Sequence, residues 1–330
     1  MPVSNSKLFP FLRKYGRHSM AYTSLEPEFK YFLLEGVGYI AYITYKHWLY
    51  ARKERQIVLA DPVCASENYS EIVDRFVEQF SNVIFVQSSK DFAKVLDEKA
   101  YQVNQFGIET EILIDGFNLK GKLRAKLRQW RNKCEREGVE VKELSIEQCQ
   151  NADEIKALSQ IWLEKKGGAE FSFLVRPLRF EKETDVRYFW AFKDNKLIAF
   201  ATFDPMYSKG NIVGYYHNID RLGENAPHGT SALIVLKAIE VFAQEDVEFV
   251  SLGMSPLYLQ RGMALEFNHH HFTRKAFWYA FEKLNFLYPF KGNASHKSKF
   301  NGVKNPVYIS STNGTGLLEV FRMMKAIGML

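Results

Sequence analysis

The chain has 330 residues, 46% of them hydrophobic and 25% charged, with a formal net charge of +6, which is long for one domain and comfortable for two with a sizeable core. Its cysteines, Cys64, Cys134 and Cys149, are too few and too widely spaced for a disulfide framework or a structural zinc site, and suit reduced thiols in a cytoplasmic protein. No run approaches the roughly 18 apolar residues needed to cross a bilayer, and the N-terminus lacks the apolar core of a signal peptide, so the expectation is a soluble protein, at most peripheral at the inner membrane face.

In chain order, residues 31–63 read as β structure. Tyr39-Ile40-Ala41-Tyr42-Ile43-Thr44-Tyr45 is rich in β-branched and aromatic side chains, and Gln56-Ile57-Val58-Leu59 runs into an Asp61-Pro62 turn. The spacing of Ile72, Val73, Phe76 and Phe80 predicts a helix over 69–80, followed by a strand at 83–86, a helix at 88–99 and a strand at 111–114. The segment 117–138 then carries Lys120, Lys122, Arg124, Lys126, Arg128, Arg131, Lys133 and Arg136 against only Glu135 and Glu137. Its apolar residues Leu123, Leu127, Trp130 and Cys134 keep the spacing of one helical stripe, which predicts a basic helix over 119–137, docked by one face. Such a surface attracts the phosphates of a nucleic acid, a lipid headgroup or a nucleotide. A solvated helix with no partner is the plainer alternative. A strand at 139–144 follows.

The order then restarts. A helix is expected over 145–166, with Asn151-Ala152-Asp153-Glu154 as its start and Gly167-Gly168 as its stop. Strands at 186–192 and 197–203 flank an Asp194-Asn195 turn, and another is expected at 212–217. A helix over 229–244, a strand at 249–252 and a helix over 276–287 complete the series. Two runs of mixed helix and strand, without a residue-level repeat, predict an α/β fold with mixed sheets in two lobes, 1–145 and 146–330.

Several short motifs recur in a consistent order. They are Lys14-Tyr15-Gly16, Ala60-Asp61-Pro62-Val63, and Phe117-Asn118-Leu119-Lys120-Gly121-Lys122 with Arg128; then Ile198-Ala199-Phe200-Ala201, Ala226-Pro227-His228-Gly229-Thr230 and Leu252-Gly253-Met254-Ser255-Pro256-Leu257; finally Phe290 and Gly292 with Lys297, Lys299 and Phe300. In these the chain resembles the C-terminal catalytic region of the phosphatidylglycerol lysyltransferase (multiple peptide resistance factor) family. The resemblance implies two tandem acetyltransferase-like (GNAT) lobes joined by the basic helix, and use of aminoacyl-tRNA to modify a lipid headgroup. It also implies a stand-alone soluble member, since the family's membrane-embedded region does not appear in the sequence. Three positions depart from the family pattern. Asn218 stands where a carboxylate is usual, Ala232 replaces an acidic residue, and Ala294 replaces an arginine. A carboxylate lost near an amino-acid pocket weakens selection for a cationic cargo such as lysyl.

Site candidates follow from the residues and from this resemblance. Catalytic roles fall to Arg221, Lys297, Lys299, His217 and Asp220. Lys297 and Lys299, near Lys291 and His296, are expected on one side of an extended segment, where they would polarise an ester carbonyl. His217 and Asp220 would serve as general base or hold the donor amine, although a histidine at a strand end more often caps or packs. Asn218, Gly229, Thr230, Gly253, Met254 and Ser255 are expected around the substrate. The turn at 226–230 has one glycine and a proline, a poor cradle for the pyrophosphate of coenzyme A. Lys120, Lys122, Arg124, Arg128 and Arg131 are expected to hold tRNA phosphates. The run His269-His270-His271 lacks the spacing of a metal site, because consecutive strand residues alternate faces. The amphipathic segment 316–330 is expected to cap the second lobe, with a membrane surface as the alternative.

The expectation is therefore an aminoacyltransferase that takes aminoacyl-tRNA as co-substrate, without a cofactor or a metal, and acts on a lipid headgroup or a small acceptor. An N-acyltransferase using acyl-CoA or an acyl carrier protein, and a non-catalytic module on anionic membrane or RNA, are the alternatives. The oligomeric state is open.

Overall fold

A computed structural model describes residues 5–149, 152–165, 176–259, 266–284 and 289–328. Helix α1 (Asn5–Tyr15) leads into an antiparallel meander of β1 (Lys30–Leu34), β2 (Gly38–His47) and β3 (Ala51–Leu59), with the short β4 (Val63–Cys64) paired to β2. Helix α2 (Tyr69–Gln79) crosses over to β5 (Val83–Ser88), which lies parallel to β3, and α3 (Lys90–Glu98) returns the chain to β6 (Gln102–Leu113). Local chemistry explains these elements. Ile72, Val73 and Phe76 give α2 one buried stripe, and the Ser89 side chain caps α3 by accepting from the Phe92 N–H. All six residues of β5 are buried, as suits a strand covered on both faces.

After α4 (Ala125–Arg136), β7 (Glu140–Glu143) and α5 (Ala152–Lys165), the same plan recurs. Strands β8 (Arg187–Lys193), β9 (Lys196–Ser208) and β10 (Asn211–Leu222) form an antiparallel meander, and α6 (Thr230–Phe242) crosses to β11 (Phe249–Pro256), parallel to β10. Helices α7 (His271–Lys283) and α8 (Phe290–Ser298), strand β12 (Val303–Ser311) and helix α9 (Leu317–Ala326) follow. The mixed α/β fold expected from the sequence is the one the chain adopts, and each half contains an antiparallel meander followed by a helix and a parallel strand.

Among the described residues all strands join one sheet, in the order β1-β2-β3-β5-β12-β6-β11-β10-β9-β8-β7. This order is nearly a palindrome, because the halves exchange their last strands. β12, late in the chain, lies between β5 and β6 of the first half, and β6 pairs with β11 of the second. A cut at residue 145 would leave β12 apart from the strands it joins, and would also part β7 from its partner β8.

Several local expectations are corrected. The basic helix begins at Ala125, not at 119, because Gly121 adopts φ +84 and residues before it form a turn. Leu123 is accordingly 72% exposed, and the docking stripe is Leu127, Trp130 and Cys134, packed in one core with Ala232, Leu233 and Leu236 of α6. Lys297 lies in α8 and Lys299 caps that helix, so they are not on one side of an extended segment. His270 is the N-cap of α7 and not a strand residue; its side chain accepts from the Thr273 N–H. Helix α9 buries Val320 and Met323 in a core shared by both halves, with Tyr39 and Ile57 of the first and Phe249 and Phe277 of the second, rather than over the second half alone. The helix expected at 145–166 starts at Ala152, and its expected stop, Gly167-Gly168, lies outside the described residues.

Candidate functional site

Strands β10 and β11 run together only from Gly214–Tyr216 against Phe249–Ser251. Beyond that point both become irregular: β10 slips register against β9 between His217 and Asp220, and β11 slips against β6 between Ser251 and Met254. Bulges of this kind re-aim side chains, and the gap opens at the C-terminal end of parallel strands, where open α/β sheets place ligands. Gly253 makes the bend possible. It has φ +71, and a Cβ there would sit 2.6 Å from the Tyr216 ring.

Cross-strand pairing assigns the faces. His217 and Asp220 pair with Phe203 and Ala201, which belong to the core under α6 and α4. Arg221 pairs with Phe200, which belongs to the opposite core, and strand alternation buries it there. Arg221 is therefore not beside His217 and Asp220, contrary to the expectation for a shared catalytic group.

On the first face, Asp220 Oδ2 accepts a hydrogen bond from Ser231 Oγ at 2.5 Å. Lys297 reaches in from α8, its Nζ donating to the Met254 carbonyl at 2.8 Å. Trp130 of α4 stacks on His296 with centroids 5.7 Å apart and meets His228 edge-on at 5.3 Å. His217 Nε2 is buried without a hydrogen-bond partner among the described residues. Burial, and then the Lys297 ammonium, push the His217 pKa down to about 3; burial likewise lowers His296, against the opposing pull of Asp220. Both imidazoles are neutral at pH 7, so each presents one donor and one acceptor nitrogen. The gap thus gathers a neutral base, a carboxylate and an ammonium. That set can take a proton from a hydroxyl and stabilise charge on a carbonyl oxygen.

His217, Asp220, Lys297 and the backbone of Met254 are the expected residues that the structure brings together. Others serve elsewhere. Ser255 Oγ donates to Asn293 Oδ1 at 3.0 Å and so ties β11 to α8. Thr230 is fully buried and donates to the Pro227 carbonyl at 2.7 Å, which holds the turn before α6. Gly229 has φ +109 and lies beneath Trp130, where a Cβ would come within 2.6 Å of the tryptophan Cβ. Asn218 faces the opposite side and donates to Asp204 Oδ2 at 2.9 Å. There Arg176 is held by Asp204 at 2.7 and 2.8 Å, by Glu26 at 3.2 Å, and by Glu183. Ser231, His296 and this Arg176 cluster carry no expected functional role, and Trp130 is expected only to dock its helix. Trp130 reads as plain core, and His296 and Arg176 lie in segments without a periodic pattern.

The basic segment divides its cations between structure and surface. Arg128 donates to the carbonyls of Leu119 and Gly121, and Arg124 to those of Asn118 and Phe300. These two arginines fold the turn before α4. Lys120 and Lys122 are exposed. An open cleft of about 950 Å³ runs beside them, with Phe117, Leu119 and Leu236 among its apolar walls and Lys120, Arg128 and Arg131 among its cations.

The family described as phosphatidylglycerol lysyltransferase, C-terminal, matches residues 9–310. The phosphatidylglycerol lysyltransferase of Bacillus subtilis (strain 168) is 24% identical over 291 residues, covering 83% of this chain and 32% of that protein. The chain thus spans about a third of that relative's length. The structure of L-PGS from Bacillus licheniformis matches with a TM-score of 0.79 at 20% identity, covering 98% of this chain and 97% of the other. A C-terminal DUF2156 domain from Agrobacterium fabrum matches with 0.77 at 21% identity, covering 98% and 96%. At such identities the structural likeness speaks for the fold, and the family match over nearly the whole chain adds the lineage: this chain belongs to the phosphatidylglycerol lysyltransferase C-terminal domain family.

Proposed function

We propose that the chain transfers an aminoacyl group from aminoacyl-tRNA to a hydroxyl of a lipid headgroup at the gap between β10 and β11. The observation that carries this reading is the meeting of neutral His217 with Lys297 and Asp220 in that gap, within a chain of this family. The acceptor hydroxyl attacks the ester carbonyl carbon while His217 Nε2 takes its proton. The oxyanion forms near the Lys297 ammonium, whose Nζ is positioned by its hydrogen bond to the Met254 carbonyl. The tetrahedral intermediate, in which the new C–O bond is already made, then collapses and breaks the bond to the tRNA, whose terminal hydroxyl leaves with the proton that His217 took. The donor ester is already activated, so no covalent enzyme intermediate is needed.

An anionic, bulky donor agrees with the cationic cleft along Lys120, Arg128 and Arg131. Acyl-CoA agrees less well. The N-terminus of α6, where its pyrophosphate would bind, carries Pro227 without an N–H and is covered at Gly229 by Trp130. The test is incubation with a pool of radiolabelled aminoacyl-tRNAs and phosphatidylglycerol vesicles, with label counted in the extracted lipid and its amino acid identified. Labelled lipid is expected, and prior deacylation of the tRNA should abolish it. Salt-sensitive RNA or vesicle binding without transfer would leave a binding module instead, and labelling from acyl-CoA or acyl carrier protein alone would favour the acyltransferase alternative.

A further inference from the structure

A second surface lies at the tip of the β2–β3 hairpin. Trp48 is 77% exposed and Leu49 57%, side by side at a turn bounded by the His47–Ala51 pair. Consecutive large apolar residues at such exposure project from the fold, with the Trp48 ring stacked on its neighbour His47 at 6.1 Å. The tip is nevertheless ordered from behind. His47 stacks on Tyr50 at 3.9 Å, Tyr50 OH and Tyr45 OH are 2.9 Å apart, and Arg322 Nε of α9 donates to the Tyr50 carbonyl at 2.5 Å. Tyr50 also meets Phe321 edge-on at 5.3 Å, which latches the hairpin to α9. That helix buries Val320 and Met323 but leaves Leu317, Leu318 and Phe321 exposed.

The charge around this apolar face has one prevailing sign. Lys46, Arg52 and Lys53 are exposed beside the tip, and the Lys325 ammonium lies 5.9 Å from the Phe321 ring. Glu319 of α9 is buried and bonded by Arg55 at 2.9 Å and Arg322 at 2.7 Å, so it contributes no free negative charge. Glu54 is the exposed acid on these elements. Within the sheet, β3 stands five strand spacings from β10, roughly 24 Å, so this face is distinct from the gap that holds His217.

We infer that the hairpin tip at 47–50 and the exposed face of α9 form a docking surface for an anionic lipid bilayer. A projecting tryptophan and leucine, backed by exposed leucines and a phenylalanine and rimmed with lysine and arginine, match the apolar boundary and the negative headgroups of such a surface. A rigid protein partner would need a socket for the tip; a bilayer deforms around it. The inference does not rest on the proposed reaction, because binding requires neither donor nor turnover.

The test is flotation of the full chain with phosphatidylglycerol/phosphatidylcholine vesicles and with phosphatidylcholine vesicles, in the absence of RNA. The wild type should float with the anionic vesicles and bind them less at high salt. The exposed substitutions Trp48→Ser with Leu49→Ser should weaken binding about tenfold or more, with the melting temperature unchanged and with Trp48→Phe restoring most of the loss. Lys46→Gln with Lys53→Gln should reduce the preference for anionic over neutral vesicles. Failure of the wild type to bind, or undiminished binding by the Trp48/Leu49 variant, would overturn the inference. A self-associated wild type that becomes monomeric in that variant, with vesicle binding unchanged, would assign the face to a second copy instead.

Discussion

Replacing Arg176 by methionine removes a cation that is 1% exposed and sits among three carboxylates. The side-chain exposures of these acids are 0% for Asp204, 4% for Glu26 and 12% for Glu183. Methionine fills much of the same space, so the perturbation is chiefly electrostatic. Arg179 still reaches Glu26, which leaves Asp204 and Glu183 with the largest loss. Removing one partner of a buried ion pair costs about 3–5 kcal/mol, a large share of the stability of a folded domain. The effect depends on pH. Burial already raises the Glu183 pKa while Arg176 opposes that rise, so Glu183 should titrate higher still in the variant. An acid whose folded pKa lies above its unfolded value costs stability in full above the folded pKa and ceases to do so below the unfolded one. The deficit should therefore be greatest at pH 8 and shrink towards pH 5. Urea unfolding of wild type and Arg176→Met at both pH values measures it. A deficit below about 1 kcal/mol, or one that grows on acidification, would refute the reasoning.

Four further outcomes are expected. Gly229→Ala forces a side chain into φ +109 against Trp130, so it should cost about 1–3 kcal/mol in a thermal or urea melt. His217, with its pKa near 3 against about 6.5 in an unfolded chain, makes the folded state the poorer proton binder. Stability should then fall as pH drops below about 6.5, by at most about 1.4 kcal/mol per pH unit from this residue, and His217→Leu should flatten that slope. Lys120→Gln with Lys122→Gln should lower the slope of log affinity for tRNA against log salt by about one per lost phosphate contact, without changing the melt. Arg128→Gln should destabilise the turn as well, since its guanidinium holds the Leu119 and Gly121 carbonyls.

Local elements were legible where one face is apolar. The residues Ile72, Val73 and Phe76 of α2 and the aromatic, β-branched run of β2 announce themselves. Helix α8 does not, because FKGNASHKS buries only Phe290 and Ala294 and carries no stripe. That is why Lys297 and Lys299 read as an extended pair. The exchange of β6 and β12 is a matter of long-range pairing, on which local periodicity is silent. His217 and Asp220 were readable as polar groups beside a turn. Their common face was not, because the bulge between them breaks the alternation on which such reasoning relies. The basic segment showed its charge plainly. Nothing in its composition separates Arg124 and Arg128, which hold backbone carbonyls, from Lys120 and Lys122, which face solvent.

The assignment of chemistry to the gap between β10 and β11 is tested most directly by single-turnover transfer from labelled aminoacyl-tRNA to phosphatidylglycerol, with donor binding measured on the same proteins. His217→Ala should slow transfer about 10²–10⁴-fold and Lys297→Met about 10²–10³-fold, with tRNA affinity close to that of the wild type. Transfer at the wild-type rate by both variants would contradict the account and move the chemistry elsewhere in the fold.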